Sequence, residues 1–284
     1  MNNRTRINLV LTTVILSLAV FLIATRTNET ENKKITISAI RPGSIDHIAI
    51  KRTGKGNIAF NKRAHYWMMT APLAVRANAA RINAMLGLLQ AQSFAQLDAA
   101  KLDMERFQLQ HPAVSLQLNN HEFFFGGTNP IKKRRYVRFG DKVHLIQDTL
   151  YHQLSQKAFF FVDNKLLPED SRPVSIQFPD YTLKKTADNW TITPNREIDQ
   201  DRLKKLVSAW RSATAMAVDR YQPAESLGTI SVETAQGTTL RFTISAAMPE
   251  PVLARADLGI QYHLSSYTAA QMFLESTGTE VKTQ

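Results

Sequence analysis

Tyr66-Trp67-Met68-Met69-Thr70-Ala71-Pro72 and, 123 positions later, Asn189-Trp190-Thr191-Ile192-Thr193-Pro194 are the two stretches that decide how this chain is organised. A hairpin signal precedes each. Ile45 to Ile50 alternates as a strand, turns at Gly54-Lys55-Gly56 and returns through Asn57 to Phe60; Val174 to Phe178 and Tyr181 to Lys185 flank Pro179-Asp180 in the same way. A helix follows each. From about Asn78, its cap, to Gln92 the residues Ile82, Met85, Leu86 and Leu89 mark one buried face, and from Asp199 to Ala215 Leu203, Leu206, Val207 and Trp210 do the same. A short helical or turn segment is predicted through Ala99 to Phe107.

Strands then resume in both halves. The first half offers Ala113 to Leu118, Glu122 to Phe125, Arg135 to Phe139 and Val143 to Ile146, with turns at Asn119-Asn120, Gly126-Gly127 and Gly140-Asp141 and a closing helical turn at Thr149 to Leu154. The second offers Thr229 to Glu233, Thr238 to Ile244, Val252 to Arg255 and Ile260 to Leu264, then a short helix from Thr268 to Leu274. The tryptophans, the pairs Arg81-Ile82 and Arg202-Leu203, and the histidines His144 and His263 recur 119 to 123 residues apart. Any two domains of this class share such a coarse order. The match of tryptophan, proline and helix register together favours an internal duplication. Helices bracketed by hairpins, without strict βαβ alternation, predict an α+β class: an N-terminal transmembrane helix, then two tandem, related modules of antiparallel sheet plus helix.

The boundaries that follow are a cytoplasmic N-terminus at 1–6, a transmembrane anchor at 7–25, a linker at 26–44, a first, basic module at 45–157, a junction at 158–172, a second module at 173–276 and a polar tail at 277–284. The anchor rests on an uncharged run from Ile7 to Thr25 behind Arg4 and Arg6. Its 19 residues rise roughly 28 Å as a helix, close to the hydrocarbon thickness of a bilayer. Leu22-Ile23-Ala24-Thr25 lacks a small-x-small pair, which favours an uncleaved anchor over a signal peptide. The arginines favour a cytoplasmic N-terminus, although Arg26, Lys33 and Lys34 weaken the contrast, so the body is expected in the periplasm of a bacterial inner-membrane protein.

With 44% hydrophobic and 21% charged residues, 284 positions suffice for ordinary cores. The absence of cysteine excludes disulfides, thiolate nucleophiles, zinc–thiolate sites and a lipoprotein anchor. Residues 41–160 carry 17 basic against 7 acidic side chains, 161–284 carry 13 against 15 and 1–40 carry 5 against 2, so almost the whole of the net charge of +11 sits on the membrane-proximal half.

Its densest run is Lys132-Lys133-Arg134-Arg135-Tyr136-Val137-Arg138. Lys132, Lys133, Arg134, Arg135 and Arg138 are the candidate contacts for an anionic partner, either lipid headgroups or an acidic polymer. Basic residues beside Tyr136 also fit nucleic acid, which the compartment disfavours, and a solvated hairpin loop is the plain alternative. No metal site is expected, because seven histidines lie scattered without an HExxH or an i, i+4 pair. No cofactor is expected either: Phe125-Gly126-Gly127-Thr128 lacks the P-loop pattern and reads as a turn. No GxSxG elbow and no close carboxylate pair stand out. Phe123-Phe124-Phe125 and Phe159-Phe160-Phe161 fit core packing better than partner patches.

Several of these residues together resemble a known bacterial family. Trp67 with Pro72, the helix through Ile82 and Leu89, Met104-Glu105-Arg106-Phe107-Gln108-Leu109 with Pro112, Phe125-Gly126-Gly127-Thr128, Arg134-Arg135-Tyr136-Val137 and Val143-His144-Leu145-Ile146 resemble the family catalogued as domain of unknown function 4340, over most of residues 45–155 with a weaker echo later. Where that family has a glycine after the aromatic, this chain has Gln108. The resemblance implies a membrane-anchored, exported protein, in some members encoded beside gliding-motility or other ABC-transporter components, and brings no catalytic residues. The expected function is therefore a non-enzymatic, single-pass inner-membrane accessory or scaffold for an envelope protein partner; the alternative is a binding module for an acidic envelope glycan or anionic lipid.

Overall fold

The structure is a computed structural model that describes residues 35–187 and 189–274. In chain order the first half comprises β1 (His47–Arg52), β2 (Lys55–Arg63), β3 (Tyr66–Ala71), β4 (Val75–Arg76), α1 (Ala79–Gly87), β5 (Ala95–Asp98), β6 (Val114–Leu118), β7 (His121–Thr128), β8 (Arg134–Phe139), β9 (Lys142–Gln147) and α2 (Tyr151–Leu154). The second comprises β10 (Pro173–Gln177), β11 (Thr182–Thr186), β12 (Asn189–Thr193), α3 (Gln200–Ser212), β13 (Ala217–Arg220), β14 (Gly228–Thr234), β15 (Thr239–Ala246), β16 (Val252–Arg255), β17 (Ile260–His263) and α4 (Ser266–Met272).

Period-two burial explains the sheets. Ile48 and Ile50 of β1 are fully buried while their neighbours are not. The antiparallel registers set Ile48 between Phe60 and Leu118, and Ile50 between Ile58 and Leu116. These cross-strand contacts join three strands through one apolar face. In the second sheet Ile176 takes the same place between Leu183 and Val232. Each such side chain contributes roughly 1.5–3 kcal/mol on burial. Asn78 caps α1 by accepting the Arg81 amide at 3.2 Å, and Ile82 and Met85 turn its inner face to the sheet. In α3, Trp210 is fully buried among Phe178, Phe242 and Phe273 and donates from Nε1 to the Met272 carbonyl at 2.7 Å.

The strand order is β4-β3-β2-β1-β6-β7-β8-β9-β5 in one sheet and β12-β11-β10-β14-β15-β16-β17-β13 in the other. Removing the two-residue β4 makes the two orders equivalent, position for position. Trp67 and Trp190 then occupy matching strands, each followed by a cis-proline at Pro72 and Pro194, and His144 and His263 fall on the matching last strands. In both halves the helix carries the chain to the far edge, where β5 and β13 pair with β9 and β17. The residues after α2 knit the halves together. Ala77 bridges Val162, Lys165 bridges Thr214, and Asn164 accepts from Asn78 Nδ2 at 3.2 Å while donating to the Ala215 carbonyl at 3.1 Å. The buried side chains of both sheets form one continuous cluster.

The α+β class expected from the sequence is corrected by this architecture. The described residues form mainly two large antiparallel sheets with few helices, because the long apolar periodicities at 78–92 and 199–215 each yield one helix against eight or nine strands. The first of those helices stops at Gly87 in a 3-10 turn, and the segment expected to be helical from Ala99 keeps only the 3-10 turn Ala99–Lys101. No helix among the described residues is long and apolar enough to cross a membrane. The transmembrane helix expected at 7–25 lies outside the described residues, as does the tail at 277–284.

The turn expected at Gly126-Gly127 is instead a register shift inside β7. Its cause is the close approach of residues 104–109. A Cβ on Gly126 would stand 2.4 Å from the Phe107 carbonyl oxygen, and the Gly127 amide donates to that oxygen at 2.8 Å. Gln108 adopts φ +56°, so it takes up the left-handed conformation that glycine supplies at least cost.

Candidate functional site

The basic run divides because a strand alternates its side chains. Ahead of β8 lies a tight turn fixed by Asn129, whose Oδ1 accepts the amides of Ile131 and Lys132 at 3.0 Å each and whose Nδ2 donates to Tyr136 Oη at 2.9 Å. Lys133 closes the turn at φ +48°, with its amide on the Asn129 carbonyl at 2.9 Å. The turn therefore holds its side chains outward. Ile131 is 88% exposed at the tip, with Lys132 and Lys133 exposed beside it.

The arginines that follow have other partners. Arg134 lies over the Phe94 ring at 3.4 Å and Arg138 over Phe124 at 4.4 Å, on one face of β8. Arg138 Nε is buried without a hydrogen-bond partner. Arg135 projects to the opposite face, which it shares with the buried Val137. It donates from two nitrogens to the two oxygens of Asp148 at 2.8 Å each, donates also to the Gly126 carbonyl, and stacks over Tyr151 at 3.6 Å. Such a two-pronged arginine–carboxylate pair is a strong, directional contact. Arg135 thus fastens β8 to the β7 irregularity and to the segment before α2. Lys132, Lys133 and the rim of Arg134 are the part of the run left to meet a partner.

Exposed apolar side chains that the sequence reading missed lie near the start of β8: Ile35 and Phe94 are 53% and 39% exposed. The Ser93 amide donates to the Ile35 carbonyl at 2.7 Å, so the first described residue runs beside the segment bearing Phe94, under Arg134.

The histidines are dispersed. His47 meets Asn61 at 2.7 Å, His263 lies 3.5 Å from Asp219, and His144, which is buried, meets Ser93 Oγ at 3.0 Å. Burial lowers the His144 pKa, which favours the neutral imidazole. No group of three or more potential metal ligands occurs among the described residues.

These features define a tandem pair of topologically equivalent antiparallel sheets with an apolar-tipped basic turn on the first. Residues 67–229, more than half of the chain, match the model of the family described as Domain of unknown function (DUF4340), and the chain belongs to that family. The match begins at Trp67 in β3 and ends at Thr229 in β14, so it crosses the junction into the second sheet and reaches beyond the 45–155 span that carried the resemblance. No curated protein and no solved structure was found to match the chain.

Proposed function

We propose that this chain is a non-enzymatic, single-pass bacterial inner-membrane protein whose periplasmic two-sheet body serves as an accessory or scaffold for an envelope complex such as an ABC-type transporter. Residues 7–25 are the anchor, and the Ile131 turn faces the bilayer. One observation supports the orientation: a rigid turn presents Ile131 between Pro130 and two exposed lysines, just ahead of Arg134, which lies over Phe94 in the segment beside Ile35. Nine residues, 26 to 34, span at most about 30 Å when fully extended, which supports a position of that face near the membrane.

The magnitudes suit a tethered protein. Two lysines near an anionic surface contribute about 1 kcal/mol each, too little to recruit a free protein but enough to orient one already held at high local concentration. The second reading, a binding module for anionic lipid or an acidic envelope glycan, draws on the same turn. A photo-crosslinking residue at position 131 of the full-length protein in native membranes tests both. Adducts with phospholipid or a membrane protein are expected at 131 and not at exposed position 233 of β14; equal labelling at the two positions, or none at 131, overturns the orientation.

A further inference from the structure

A cleft of about 800 Å³ opens between the β1–β2 hairpin, the segment after α2 and β13 of the second sheet, so both halves of the duplication line it. Four cationic side chains border it: Arg52, Lys55, Lys157 and Arg220. Among the described residues none of the four forms an ion pair with a carboxylate. Asp219, the one acidic residue of the lining, stands 3.5 Å from His263. Pro72, Ala158 and Phe159 supply an apolar wall.

Arg52 is the fixed element of this group. Its guanidinium donates to the backbone carbonyls of Gln156 and Gly56, so its position is set by main chain from two segments. Burial lowers its pKa, because its charge has lost part of its water. A main-chain-anchored arginine that shares a cleft with three further cations gains most from a ligand bearing concentrated negative charge. A carboxylate offers a single charge. A phosphate monoester carries about −1.5 to −2 and three acceptor oxygens, enough to meet Arg52 and two neighbours together. The cleft volume lies within the range of organic ligand sites and exceeds what a phosphate alone fills, and the wall at Phe159 and Pro72 suits an apolar body.

We propose that this cleft binds an organic phosphate, with the phosphate against Arg52, Lys157 and Arg220 and the apolar body against Phe159 and Pro72. This site lies apart from the Ile131 turn and does not depend on which side of the membrane the body occupies. The shared chemistry, a phosphate on an apolar body, occurs in phospholipid headgroups and in soluble phosphate esters. Full-length protein in non-ionic detergent is titrated calorimetrically with 1-naphthyl phosphate and with inorganic phosphate, against protein-free micelles. The double variant Lys157→Gln with Arg220→Gln, both exposed positions, is titrated alongside with its melting temperature as a check on folding. Binding of 1-naphthyl phosphate at least about tenfold tighter than inorganic phosphate, weakened at least about tenfold in the variant at unchanged melting temperature, is the expected result. Competition by dihexanoyl phosphatidic acid, and not by dihexanoyl phosphatidylcholine, then assigns a lipid headgroup; no competition by either assigns a soluble ester. Absence of binding, equal affinity for inorganic phosphate, or an undiminished affinity in the variant overturns the proposal.

Discussion

Arg135→Ala separates the structural from the binding half of the basic run. The wild-type side chain is 11% exposed and its partner Asp148 22% exposed, and the substitution deletes two 2.8 Å charge-assisted bonds, the bond to the Gly126 carbonyl and the stack on Tyr151. Removing one member of a fully buried ion pair costs about 3–5 kcal/mol, since the other charge is stranded. Asp148 keeps enough exposure for water to re-solvate it in part, so the expected loss is about 2–3 kcal/mol. For a body of this size that lowers the melting temperature on the order of 5–10 °C. Lys132→Ala and Lys133→Ala sit on an exposed turn and should each change stability by less than about 0.5 kcal/mol. Urea unfolding of the full-length protein in detergent, followed by the fluorescence of Trp67, Trp190 and Trp210, reads all three variants. In a cycle with Asp148→Ala, the double variant should be little worse than Arg135→Ala alone. The reasoning is refuted if Arg135→Ala lies within 0.5 kcal/mol of the wild type, or if either lysine variant matches its loss.

Two further outcomes follow from local chemistry. Gln108→Gly relieves a non-glycine residue held at φ +56° and should raise stability by about 0.5–1 kcal/mol in the same urea assay; a loss would mean that the Gln108 side chain outweighs its backbone cost. Because burial depresses the His144 pKa, the unfolded chain takes up a proton, near the ordinary value of about 6.5, more readily than the folded one. The resulting stability is fully present above pH 6.5 and is lost as pH falls from there through the folded-state value. His144→Gln should flatten the stability profile as pH falls below 6.5, and an unaltered slope would assign that acid sensitivity to other groups.

Much of the architecture was legible because its signals are local. The alternation of Ile48, Ile50, Ile58 and Phe60, the Asn78 cap and the spacing of Trp67 and Trp190 each depend on neighbours within one or two elements. The class was misjudged because two periodic helices weigh heavily in a sequence, while β5 and β13 leave little trace. Ala95–Asp98 buries none of its four residues and Ala217–Arg220 only Val218, so their pairing with β9 and β17 is written in backbone bonds rather than in side-chain pattern. The basic run read as one unit, yet strand periodicity sends Arg135 to Asp148 and leaves Lys132 and Lys133 on the turn. Arg52, Lys157 and Arg220 come to line one cleft only through the packing of the two halves, and no window of sequence contains them together.

The central claim is that residues 7–25 hold the protein in the membrane and deliver the two sheets to its outer side. Fusing alkaline phosphatase, active only outside the cytoplasm, and green fluorescent protein, used as the cytoplasmic reporter, separately to Gln284 of the full-length chain measures this directly. High phosphatase activity with a dark fluorescent fusion is the predicted pair of results. A bright fluorescent fusion with inactive phosphatase would place the body in the cytosol and contradict the tethered envelope role.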